Sequence, residues 1–109
     1  MKLIVAVVHN SDRNRVVEDL VRQGYKFTII GSTGGFLREG NTTFLIGVEN
    51  EEKESVLSLI QQNCKTREQM VNVLPPDASP VGTFVPNPIK VPVGGAIAFV
   101  LDVDQFERF

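Results

Sequence analysis

The pattern of apolar and polar positions divides the chain into alternating strands and helices. Leu3–Val8 is a run of aliphatic, mostly β-branched residues that predicts a first strand, and it is followed by a polar segment in which Asn10 or Ser11 can cap a helix. Apolar residues then recur at helical spacing, namely Val16, Val17, Leu20 and Val21. Gly24 stands where a helix-ending glycine belongs, so the pattern predicts a helix from about residue 12 to this glycine.

The rest of the chain repeats this alternation. Short apolar runs predict further strands at Lys26–Ser32, Thr42–Val48 and Ala96–Val103. Asn50 can cap a second helix, whose predicted buried stripe consists of Val56, Leu57, Ile60 and Cys64. Met70–Leu74 predicts a short additional strand. The prolines concentrate between Pro75 and Pro92, which predicts a long loop with extended pieces.

The predicted order β-α-β-β-α-β, with an extra short strand, is that of a ferredoxin-like α+β fold, with an antiparallel sheet and both helices on one face. At 109 residues the chain is expected to form a single domain spanning 1–109. Several strands are apolar on successive residues, so both faces of the sheet require cover, whereas two helices cover only one. We expect other subunits to cover the second face. The alternative is that the C-terminal tail and the proline-rich loop fold over it.

Composition excludes several classes of function. A net charge of −2 gives no general attraction for a nucleic acid polymer or an acidic membrane. Cys64 is the single cysteine and His9 the single histidine, so no internal disulfide and no cluster with metal-ligand spacing is expected. The opening apolar run is too short for a signal sequence or a membrane span. These features fit a cytoplasmic protein.

The segment between the second and third strands carries the candidate binding chemistry. Its glycines, Gly34, Gly35 and Gly40, leave the backbone free for positive φ and close approach to a ligand. Phe36 offers a stacking face and Asn41 a donor and acceptor amide, which together suit a nucleotide. The alternative is a hairpin connection in which the glycines only turn the chain. Cationic and hydroxyl side chains elsewhere can meet phosphates, namely Lys26, Thr28, Arg38 and Arg108.

Catalysis is not expected from these residues. His9 can act as a base, but a role in a loop or helix cap is favoured, and Cys64 lies on the apolar stripe of the second helix, where a small buried hydrophobe is the usual role. No base–nucleophile pair or pair of carboxylates is evident in the sequence. We therefore expect neither an enzyme nor a cofactor.

Two adjacent motifs resemble the signature of a known family. Thr33-Gly34-Gly35-Phe36-Leu37-Arg38, followed by Gly40-Asn41-Thr42-Thr43-Phe44-Leu45, is similar to the PstA/DarA family of PII-like signal proteins, which bind cyclic di-AMP. The similarity extends to residues 1–6, 63–69, 93–96 and 106–109, and so covers the whole chain.

The resemblance implies a homotrimer with three cyclic di-AMP sites, each in a cleft between neighbouring subunits. The positions matching the family's ligand contacts are Thr28, Gly35, Phe36, Leu37, Asn41, Gly47 and Phe99. Lys26 stands where relatives have Arg, Gly24 replaces an Asn, and Arg108 replaces a Gln, from which it can reach a phosphate bound at the adjacent subunit. We include Lys26 and Arg108 in the predicted site.

By this resemblance the chain is expected to be a bacterial receptor. Binding of cyclic di-AMP would change the conformation of loops 34–40 and 75–92 and thereby regulate an unknown downstream protein. The second loop lacks the Gly-Asp-Gly-Lys run with which PII proteins hold ATP phosphates, so ATP sensing by that route is disfavoured. The alternatives are a PII-like trimer that senses another nucleotide or metabolite, and a small enzyme that uses His9 or Lys26 in an intersubunit cleft.

Overall fold

A computed structural model describes residues 1–32, 40–73 and 87–109, with the backbone alone described at residues 32, 67–73 and 87–93. In chain order the strands are β1 (Lys2–His9), β2 (Phe27–Ser32), β3 (Asn41–Val48), β4 (Arg67–Val73), β5 (Asn87–Val93) and β6 (Ala96–Asp102). The helices are α1 (Arg13–Arg22) and α2 (Lys53–Asn63), and each is preceded by a 3-10 turn, at Asn10–Asp12 and Asn50–Glu52 respectively.

The main sheet is antiparallel and has the strand order β2-β3-β1-β6, while β4 and β5 form a separate two-stranded antiparallel sheet. Both helices pack on one face of the main sheet, as the composition of the buried core shows. The core combines alternate residues of β1 and β3 with residues of both helices, among them Ile4, Ala6, Val8, Phe44, Ile46, Val16, Leu20, Val56 and Ile60. The predicted α+β arrangement, an antiparallel sheet with two helices, is confirmed and is consistent with a ferredoxin-like fold.

The predicted loop over Pro75–Pro92 is wrong in its last part, because Asn87–Val93 is a strand. Pro88 and Pro92 pair with Asn72 and Glu68 in the register of β4 and β5. The two prolines are four residues apart, so their nitrogens lie on the same edge of β5. Because β5 forms by pairing with a strand some twenty residues earlier in the chain, its own proline-rich sequence carries no local signal of a strand.

Helix α1 ends as predicted, but its buried face is narrower. Gly24 has φ +79°, and the N–H groups of Gly24 and Tyr25 donate to the carbonyls of Val21 (3.1 Å) and Leu20 (3.0 Å). This pair of bonds is a Schellman motif. Val16 and Leu20, four residues apart on one face of the helix, are buried, whereas Val21 is 63% exposed. Val21 is turned about 100° around the helix axis from Leu20, away from the buried face.

The residues that begin the helices differ from those predicted. Glu49, rather than Asn50, caps the turn before α2, and it forms a capping box in which Glu52 Oε1 accepts from the Glu49 N–H at 3.2 Å. His9 caps the turn before α1, because its Nδ1 accepts from the Ser11 N–H at 3.1 Å and lies 2.7 Å from the Ser11 hydroxyl. The favoured role of His9 as a cap is thereby confirmed.

Polar contacts join the two helices at one end. Asp12 is buried and pairs with Arg15, whose Nη2 also donates to the carbonyl of Asn63 at 3.3 Å. Asn63 Nδ2 donates in turn to Asp19 Oδ2 at 2.8 Å. The contacts fix the end of α2 against α1. No helix within the described ranges has the length and apolar character needed to cross a membrane.

Candidate functional site

The face of the main sheet opposite the helices is apolar and largely open. Alternation along the strands places Ile30, Phe99 and Leu101 on this face, and they are 47%, 45% and 48% exposed. We call this surface the open face. The prediction that the two helices leave one apolar face uncovered is confirmed for this chain.

A cavity of about 580 Å³ lies at one corner of the open face. Its lining is Met1, Leu3, Lys26, Phe27, Thr28, Leu45, Gly47, Val103 and Phe106. The volume is in the range of small-molecule sites, and a mostly apolar wall with a few polar groups is typical of them. Three of the predicted site residues, Lys26, Thr28 and Gly47, lie together in this lining.

These three residues offer different contacts. Lys26 precedes β2 and supplies the ammonium group among the lining side chains. Thr28 supplies a hydroxyl two residues further along the chain. Gly47 lies exposed on β3, where an added Cβ would meet no atom within 4 Å. Its backbone therefore presents a flat, open surface to which a planar group can approach closely.

Other predicted site residues lie away from the cavity within one subunit. Phe99 is on β6, in the same cross-strand row as Val5, Leu45 and Thr28, so that three interstrand spacings of about 4.8 Å separate Phe99 from Thr28. Arg108 is exposed in the tail that follows β6, two residues beyond Phe106.

Asn41 lies at the opposite end of β3 from Gly47, roughly 20 Å away for six residues of strand. It is only 2% exposed, so its side chain is part of the folded interior at the start of the strand. Gly35, Phe36 and Leu37 were also predicted to contact ligand, and they lie outside the described residues, as do Gly34 and Arg38.

The predicted site did not include four apolar residues that line the cavity, namely Leu3, Leu45, Val103 and Phe106. Leu45 is two residues before Gly47 on the same strand, so strand alternation alone would have placed both on one face. Val103 and Phe106 belong to the tail, which is held beside β1 by a bond from the Val103 N–H to the Met1 carbonyl at 3.2 Å. Their proximity to Lys26 depends on the sheet order, which the local pattern does not show.

The tail covers only this corner of the sheet. Phe106 is 65% exposed although it borders the cavity, and Phe109 is fully exposed. In the part of the chain that the structure describes, the alternative that the tail covers the open face is therefore not supported.

Charge distinguishes this cavity from a second one. A groove of about 400 Å³ between α1 and α2 is lined by Asp19, Gln23, Glu54, Ser55, Ser58, Leu59 and Gln62. Its carboxylates would repel a phosphate, whereas Lys26 would attract one. Where β1 begins and β6 ends, strand alternation places Lys2 and Asp102 on the helix side of the sheet, and the hydrogen bond from Lys2, followed by its charge, lowers the pKa of the Asp102 carboxyl.

Two of the side chains considered for catalysis, His9 and Cys64, have structural roles. His9 caps a turn, and Cys64 is 3% exposed in the core, as expected of a small buried hydrophobe. Neither lines the cavity that contains Lys26.

Two comparisons with known proteins bear on this site. The model of the family described as "Cyclic-di-AMP receptor" matches residues 1–109, the whole chain. The fold is also similar to a crystal structure described as that of a functionally unknown protein from Pediococcus pentosaceus ATCC 25745. That match has a TM-score of 0.76 and 42% sequence identity, and it covers 99% of this chain and 96% of the other.

Proposed function

The chain belongs to the cyclic-di-AMP receptor family, and from that premise we propose that it binds cyclic di-AMP on the open face of its sheet and acts as a receptor rather than an enzyme. The observation that carries the proposal is the cavity at the corner of this face, where Lys26, Thr28 and Gly47 lie in an otherwise apolar wall. This combination suits a ligand that has both apolar bases and phosphates.

Each of the three residues has a role that follows from its chemistry. Lys26 meets a phosphate as a point charge, without the planar fork of an arginine. The Thr28 hydroxyl donates to or accepts from a base edge, and the open backbone at Gly47 allows a base to lie against the strand. The apolar lining supplies the remaining contact area.

The proposed site is completed by a second subunit. The strands at the two edges of the main sheet are β2, which carries Thr28, and β6, which carries Phe99. In a cyclic trimer the β6 edge of one subunit faces the β2 edge of the next, because a head-to-tail interface closes into a ring. Phe99 and Arg108 of one subunit then adjoin Lys26 and Thr28 of its neighbour.

The remaining residues of the proposal come from the family pattern. Gly35, Phe36, Leu37 and Asn41 match the positions at which relatives contact the ligand. Asn41 is buried, so a contact with its amide requires the ligand to reach the start of β3 or the side chain to turn outward. We propose that binding acts through loop 34–40 and through residues 75–86 of the predicted 75–92 loop on a downstream protein in the bacterial cytoplasm, by differential affinity for two conformations of these segments.

A PII-like trimer that senses another nucleotide is the second candidate. Lys26, Gly24 and Arg108 depart from the family pattern at three contact positions, which favours some change in ligand preference. Isothermal titration with cyclic di-AMP, cyclic di-GMP, ATP and AMP separates the candidates. We expect binding of cyclic di-AMP alone, and recovery of the ligand unchanged after incubation excludes turnover.

Variants of two residues test the predicted contacts. Asn41→Ala and Phe36→Ala are each expected to weaken binding by about 1–3 kcal/mol, or roughly five- to 150-fold. Glu39→Ala, between them in sequence, is the control and should be nearly neutral. Unchanged affinity in both variants, with each still a folded trimer, would remove these residues from the site.

A further inference from the structure

Asn10 holds the start of β3 from outside the strand. It is the first residue of the 3-10 turn after β1, and its N–H donates to the Gly40 carbonyl at 3.0 Å. Its Oδ1 accepts from the hydroxyl of Thr42 at 2.7 Å, and Thr42 is 4% exposed. The backbone and the side chain of Asn10 therefore hold the residues on either side of Asn41.

Gly40 packs closely against Asn10 because it has no side chain. A Cβ at Gly40 would lie 2.4 Å from Asn10 Nδ2, so the amide of Asn10 occupies the space that any other side chain would fill. Close packing against Asn10 is therefore a reason for glycine at this position.

His9, the residue before Asn10, makes a contact at the start of a second strand, β6. The His9 N–H donates to the carbonyl of Gly95, which precedes β6, at 3.5 Å. The turn that begins at Asn10 is itself fixed by the cap that His9 provides. Asn10 is consequently held on a rigid part of the fold, which makes it an effective support for residues 40–42.

We propose that Asn10 is a positioning residue for ligand binding, and that it acts by fixing Gly40, Asn41 and Thr42 in the conformation that receives the ligand. The proposal rests on the proposed function, because it concerns the binding of cyclic di-AMP. Asn10 itself makes no contact with ligand. Without its amide the three residues sample other conformations, and the apparent affinity falls to its intrinsic value multiplied by the fraction of molecules that remain competent to bind.

A double-mutant cycle on affinity tests the proposal. Asn10→Ala and Thr42→Val each remove one partner of the side-chain bond, and we expect each to weaken cyclic di-AMP binding about three- to tenfold. The double variant should be no weaker than the poorer single variant, because both remove the same interaction. Asn10→Asp, which keeps the acceptor oxygen, should restore most of the affinity.

Asn14→Ala is the matched control, since Asn14 is an exposed asparagine on α1 whose side chain, among the described residues, accepts from Arg13 at 3.4 Å. Hydrogen exchange of the amides of residues 40–42 in the ligand-free protein gives a second readout. Asn10→Ala should speed their exchange while the core strand β1 keeps its protection, and Asn14→Ala should change neither.

The outcomes are distinguishable from failure of the proposed function. If the wild-type protein does not bind cyclic di-AMP, the proposed function falls and the ligand role of Asn10 falls with it. If the wild type binds and a folded Asn10→Ala variant keeps full affinity, or if the two single effects add fully, the positioning role is wrong. A uniform loss of protection throughout the sheet would show that Asn10 merely stabilises the fold, and would equally overturn the proposal.

Discussion

Thr28 and Phe99 lie at opposite edges of one cross-strand row, with Leu45 and Val5 between them. Their strands are separated by roughly 14 Å, so Thr28 and Phe99 lie at opposite sides of the open face. If both contact one ligand across a subunit interface, the two contacts come from different subunits.

Mixed trimers test this arrangement. Thr28→Val and Phe99→Ala are each expected to lose most cyclic di-AMP binding alone, whereas unfolding both and refolding them together should restore it in about a quarter of the interfaces. In those interfaces an intact β2 edge meets an intact β6 edge. Titration of the mixture against each parent measures the restored fraction. No restoration in a mixture shown to form mixed trimers would place both contacts within one subunit.

Covering of the open face by other subunits makes a separate prediction. Ile30→Glu places a charge on this apolar face, where Ile30 is 47% exposed, and should convert the proposed trimer to smaller species because a buried charge without a partner is costly. Light scattering at micromolar concentration measures the mass. Val21→Glu is the control, since Val21 is 63% exposed on the helical side and should leave the trimer intact. A wild-type monomer, or equal behaviour of both variants, would contradict the packing argument.

The features that the sequence predicted correctly are local ones. Strand β1, the glycine that ends α1 and the buried stripe of α2 each follow from neighbouring residues, and each is confirmed. Leu59 was missed from that stripe because it lies at the edge of the helical pattern. The single domain over 1–109 stays a prediction.

The features that were missed depend on distant parts of the chain. Strand β5 exists because it pairs with β4, and its prolines conceal it. Phe106 joins the cavity because the tail crosses beside β1, and Asn10 holds Thr42 across 32 positions of sequence. In the candidate site, residues spaced along one strand could be grouped from the sequence, whereas those from the tail and the turn after β1 could not.

The ion pair between Lys2 and Asp102 predicts a small dependence of stability on pH. Lys2 lowers the pKa of the Asp102 carboxyl in the folded chain, chiefly through a hydrogen bond and then through its charge. A carboxyl whose pKa is lower in the folded chain than in the unfolded chain stabilises the fold at pH values above the unfolded pKa, about 3.9 for Asp. This stabilisation is lost as pH falls through the folded pKa. Asp102 is exposed at the end of β6, so solvent screening keeps the effect small.

Thermal unfolding of Asp102→Asn checks this. The variant should unfold at a slightly lower temperature than wild type near pH 7, and the difference should shrink as pH falls through the lowered pKa of the folded Asp102 carboxyl and vanish once that carboxyl is protonated in both states. Asp104→Asn, in the tail two residues later, serves as the control. A difference that persists at acidic pH would show that the ion pair is not its cause.

Gly47 gives the sharpest separation of binding from folding. Its position is exposed and open, and an added Cβ would meet no atom within 4 Å, so Gly47→Ala should fold as well as wild type or slightly better, because alanine restricts the unfolded chain. A methyl group there would nevertheless stand where a base is proposed to lie against β3. We expect cyclic di-AMP binding to weaken about tenfold or more, equivalent to about 1.4 kcal/mol. Gly31→Ala is the matched control, because Gly31 is also exposed in a strand with nothing near its Cβ position but belongs to the opposite face of the sheet. Titration and thermal unfolding of both variants decide the matter, since equal affinity of Gly47→Ala and Gly31→Ala would mean that the ligand does not approach β3 at this point and that the corner cavity is not its site.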